Sequence, residues 1–129
     1  MPEFLLRYKL PEDLDTATEE EVFVNRMCEM ADRIQQIISS NFFGWDVSYE
    51  VREFGHTRGM PDLYVTAWVT DNSDAYATFA EKAVAEIQDL MRSYAWGNQK
   101  VGCWFQRVKG KWSEALGRRP FLPITRYSY

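Results

Sequence analysis

Apolar and polar residues alternate from the start of the chain. Phe4, Leu6, Tyr8 and Leu10 share one side of a two-residue period and Arg7 and Lys9 the other, as in a strand with one buried face. Pro11 to Asp15 reads as a polar turn. Thr18 followed by Glu21 fits a capping box, so a helix is expected from about Thr18. Phe23, Met27, Met30, Ala31, Ile34, Ile37 and Ile38 then recur at helical spacing, with Arg26, Glu29, Asp32, Arg33 and Gln36 on the other face. Ser39-Ser40-Asn41 and Gly44 end the helix. Trp45, Val47, Tyr49 and Val51 next alternate with Asp46, Ser48, Glu50 and Arg52, which predicts a second strand.

The segment Gly55 to Pro61 is a Gly- and Pro-containing connection, and a third strand is expected over about Asp62 to Thr70. Asp71-Asn72-Ser73-Asp74 supplies N-cap candidates for a second helix, whose apolar face runs from Tyr76 to Tyr94 and which should stop near Gly97. Lys100 to Val108 reads as a fourth strand, Lys109-Gly110-Lys111 as a tight turn, and the tail from Arg118 to Tyr129 has no clean period.

Phe4 and Leu63, roughly 59 residues apart, hold similar places in two strand-helix-strand halves. The expected fold class is therefore α+β: one domain over 1–129, a duplicated βαβ plan (1–54 and 62–108, then a hairpin and tail over 109–129), with a four-stranded sheet and both helices on one face. The opposite face would carry Tyr64, Thr66, Trp68 and Trp104, and a small sheet covers such a face by joining neighbouring subunits.

Composition narrows the function classes. At 46% hydrophobic the chain can build a core without staples, and its 16% aromatic content exceeds what that core needs, which points to a pocket and an oligomer interface together. A formal charge of -4 argues against a nucleic-acid partner. Cys28 and Cys103, one in a helical and one in a strand pattern, read as reduced and buried. No run is long and apolar enough for a membrane and no targeting pattern precedes the first strand, so a cytoplasmic protein is expected. One His and two distant Cys make no metal site, and no cofactor is called for; His56 in its Gly-flanked connection reads as solvated.

Four features together resemble the tautomerase superfamily, which includes 4-oxalocrotonate tautomerase, malonate semialdehyde decarboxylase and macrophage migration inhibitory factor. They are Met1-Pro2 running into a strand, the repeated βαβ plan, the chain length, and Lys109-Gly110-Lys111-Trp112-Ser113, similar to a hairpin of that family. Trp112-Ser113, then Gly117-Arg118-Arg119-Pro120-Phe121-Leu122, is similar to the end of the malonate semialdehyde decarboxylase branch. The resemblance implies a homotrimer whose sheets form an inner barrel, and a catalytic proline freed by loss of Met1.

A chain-end secondary amine is ordinarily protonated near neutral pH, and an apolar pocket beside cations would bring it into the working range. Phe4, Tyr8 and Trp112 are candidates for that pocket. The family commonly carries an Arg between a strand and the following helix to hold a substrate carboxylate. Here those connections read Pro11-Glu12-Asp13 and Asp71-Asn72-Ser73, so a cation would have to come from Arg107, Arg52, Arg58 or Lys100. The expectation is a tautomerase-like isomerase acting on a small carbonyl or enol substrate, with Pro2 as base or acid. The rivals are a non-catalytic ferredoxin-like dimeric module and a pseudoenzyme that keeps the trimer.

Overall fold

The computed structural model describes residues 2–54, 59–70, 73–108 and 124–126. In chain order the elements are β1 (Glu3–Tyr8), α1 (Ala17–Asn41), β2 (Ser48–Glu53), β3 (Leu63–Thr70), α2 (Tyr76–Tyr94), β4 (Val101–Val108) and β5 (Ile124–Arg126). They form an α+β fold with one five-stranded sheet in the order β2-β1-β3-β4-β5.

Within each half the two strands are immediate parallel neighbours, β1 with β2 and β3 with β4, and the halves meet through antiparallel β1 and β3. The four-stranded βαβ repeat is thus present. A split βαβ unit, as in a ferredoxin-like module, would instead separate the two strands flanking a helix. β5 adds an antiparallel edge strand beside β4, in a tail where the sequence showed no period.

Strand alternation sends Phe4, Leu6 and Tyr8, then Leu63, Val65, Ala67 and Val69, then Val101, Cys103 and Phe105 to one face, where they join Phe23, Met27, Met30, Ile34, Ile87 and Met91 of the helices in a single core. Both helices therefore cover one face. Tyr64, Thr66, Trp68 and Trp104 lie on the other, as expected. Tyr64 and Trp104 are buried yet stand outside that core, packed edge to face at 5.7 Å. Gly102 makes this arrangement possible: a Cβ there would come within 2.8 Å of Pro61 Cγ and 2.9 Å of the Trp104 ring.

α1 starts two residues earlier than the capping pattern suggested. Thr16 is extended and its hydroxyl accepts from the Glu19 amide at 3.1 Å, while Glu19 Oε2 accepts from the Asp15 amide at 3.0 Å. The first turn then presents Glu19 and Glu20 to the positive end of the helix dipole. At the other end Phe43 and Gly44 take positive φ angles of 59° and 70°, and the Gly44 amide returns to the Ser39 carbonyl. Trp45 and Val47 precede β2, because the Trp45 amide closes this turn on the Phe42 carbonyl. α2 has no side-chain cap at its N-cap Ala75, and it ends at Tyr94 rather than near Gly97.

Both cysteines are free, but only Cys103 is buried; Cys28 is exposed, one position off the apolar stripe of α1. Burial pushes the Cys103 thiol well above the ordinary thiol range, so it holds no reactive thiolate. A thiol alkylating reagent is expected to modify Cys28 and spare Cys103 in the folded protein, as read by peptide mass after quenching; equal labelling would contradict the burial. No helix among the described residues is long and apolar enough to cross a membrane.

Candidate functional site at the Pro2 end of the sheet

Pro2 is buried at the entry to β1, and its carbonyl accepts from the Ser48 amide at 3.3 Å, which ties the start of the chain to β2. Glu3 pairs with Trp68 and Trp68 with Gln106. One step further along the strands stand Pro2, Val69 and Arg107. Pro2 and Arg107 thus share one end of the sheet and, by alternation, its helix-covered face, about 10 Å apart at two strand spacings.

The surroundings of that end come from three elements. Arg107 reaches the N-terminal turn of α2: its Nη2 donates to the Ser73 carbonyl at 2.6 Å, and the guanidinium lies 5.0 Å from the Tyr76 ring centroid. α1 runs back toward this end and delivers Phe42, whose ring lies 6.1 Å from Tyr76 and 6.2 Å from Phe105. Phe4 stacks on Tyr49 at 5.1 Å. On the opposite face a cavity of about 240 Å³ opens over β1 and β2, lined by Glu3, Leu5, Ser48, Glu50 and Trp68 among others. Trp68 Nε1 donates to Gln106 Oε1 at 2.9 Å across this end.

The remaining sequence candidates do not converge here. Tyr8, expected beside Pro2, lies at the far end of β1, paired with Glu53 and Leu63, about 20 Å away along a six-residue strand. It is a core residue in edge-to-face contact with Phe23, and burial first, then Glu53, raises its phenol above the ordinary value, so it stays neutral. Lys100 is exposed just before β4 at that same far end, its amide held by Asp62 Oδ2 at 2.8 Å. Arg52 is exposed on edge strand β2 and pairs with Glu50 at 2.6 Å. Among the described candidates, Arg107 alone joins Pro2. Trp112, Arg58 and His56 lie outside the described residues, as does the Lys109-Gly110-Lys111 turn.

Sequence reading missed Ser73, Tyr76 and Phe42 as neighbours of this end. Tyr76 reads only as a helix-face residue and Phe42 carries no reading of its own, and the register of β1, β3 and β4 is what brings their elements together. Among the described residues no group of three or more His, Cys, Asp or Glu is placed to hold a metal ion.

No protein-family model matches the chain, and no curated protein matches it. Among solved structures, that of native Ps01740 is similar over 83% of this chain and 92% of its own, with a TM-score of 0.48 and 11% identity. The functional reading therefore rests on this chain's own residues.

Proposed function

We propose that the protein is a tautomerase-like isomerase in which the imino nitrogen of Pro2, freed by removal of Met1, moves a proton on a small carbonyl or enol substrate. The observation that carries this reading is the joint position of buried Pro2 and Arg107 at one end and on one face of the sheet. An unprotonated secondary amine takes the proton from the carbon next to the carbonyl, and the electron pair of that C–H bond moves onto the oxygen as an enolate. A guanidinium near this site stabilises the developing charge and disfavours protonation of the amine. Delivery of that proton from the Pro2 ammonium to the enolate oxygen gives the enol, and the same two steps in reverse, from O–H to the amine and from the ammonium to carbon, convert the enol to the keto form.

The chain is read as a homotrimer in which neighbouring subunits close the site. The test compares wild-type and Pro2→Ala proteins in the enol-to-keto conversion of a phenylpyruvate-like substrate. Loss of rate in the variant supports the reading, and unchanged activity defeats it. One observation favours a second reading, a pseudoenzyme: the Arg107 guanidinium is engaged by the Ser73 carbonyl and the Tyr76 ring. A trimer in sedimentation that shows no activity toward any enol or keto acid would favour that reading.

A further inference from the structure

A second concave site lies at the far end of the sheet, where the β1–α1 connection meets the α2–β4 connection. Its volume is about 410 Å³, and its walls include Lys9, Glu12, Asp13, Asp62, Trp96 and Gln99. The two connections are tied into one frame. The Lys9 amide donates to the Asp62 carbonyl at 2.8 Å, Gln99 Nε2 donates to the Lys9 carbonyl at 3.0 Å, and Gln99 Oε1 accepts from the Trp96 amide at 3.0 Å.

Trp96 is the unusual member. Its indole N–H donates to Asp13 Oδ2 at 3.2 Å, which fixes the ring, yet the residue is 39% exposed. A tryptophan that only filled a core would hide its faces; this one is anchored at its polar edge beside a cavity. An indole face next to carboxylates attracts a cation through the ring quadrupole and through charge. The walls carry three carboxylates, Glu12, Asp13 and Asp62, against one ammonium, Lys9, which leans toward Glu12 at 3.9 Å. That balance disfavours anions.

We infer that this cavity is a binding site for a small organic cation, a primary or methylated ammonium, seated on the Trp96 ring with its charge facing Asp13. The site is independent of the Pro2 chemistry: Lys9 and Pro2 are separated by the length of β1, so occupancy leaves the proposed reacting atoms untouched.

Isothermal titration of the full chain tests the inference with butylamine and butyltrimethylammonium as probes, and with glucose and inorganic phosphate as controls. Wild-type protein should bind the two ammonium probes and neither control, with affinity falling as salt rises. Trp96→Ala should weaken binding on the order of tenfold, as expected for loss of a cation–π contact. Asp13→Asn keeps an acceptor for the indole N–H and removes the charge, so it should also weaken binding while the melting temperature stays at the wild-type value. Absence of ammonium binding at millimolar concentration, tighter binding of glucose or phosphate, or an Asp13→Asn variant with wild-type affinity would each overturn the assignment.

Discussion

Pro2→Ala is expected to lower the rate of enol-to-keto conversion by on the order of 10²–10⁴-fold, the usual worth of a positioned general base. Alanine at the chain start leaves a primary amine on a more flexible backbone, so the nitrogen survives while its position and ring do not. The fold should tolerate the change. The Pro2 tie to β2 runs through its carbonyl, and the β1 ladder with β2 and β3 begins at Glu3. Circular dichroism and melting temperature should therefore match wild type, which separates a catalytic loss from unfolding. A variant that melts as wild type and converts substrate at the wild-type rate contradicts the role given to Pro2.

Phe105→Ala is expected to destabilise the protein by about 3–5 kcal/mol. Phe105 is fully buried in β4, an interior strand flanked by β3 and β5, and packs on Phe42 at 6.2 Å. Phe42 in turn meets Tyr76 and Phe79, so one truncation opens a void where α1, α2 and the sheet meet. Against a typical domain stability of about 5–15 kcal/mol this is a large fraction. Urea unfolding should show a lower midpoint with an unchanged slope. Phe43→Ala is the matched control: Phe43 is 63% exposed, and its loss should change stability far less. Equal losses at the two positions would contradict the packing described.

Much of the fold is legible in the sequence because most of its elements bury one face. The period-two run from Phe4 to Tyr8 and the three-four stripe from Phe23 to Ile38 both report that burial directly. Boundaries are less legible where two local patterns compete. Thr16 with Glu19 and Thr18 with Glu21 fit the same capping spacing, and the extended backbone at Thr16 decides between them. Trp45 continues the alternation of β2 by residue type, but its amide serves a turn. β5 is only three residues long, too short for a period, and it exists because β4 offers an edge.

The candidate site was half legible. Pro2 stands out from chemistry alone, and Arg107 was one cation among several. Nearness in sequence misled for Tyr8, since a strand carries residues on one face away from each other at about 3.3 Å per residue. What distinguishes Arg107 is the pairing of β3 with both β1 and β4, a long-range fact that no short window contains.

The most direct measurement is the intact mass of the native protein, read at its N-terminus. The account predicts a chain lacking its first methionine, with the nitrogen of Pro2 a free secondary amine. A mass that retains Met1 would make that nitrogen an amide without basic character, and would contradict the proposed chemistry while leaving the fold intact.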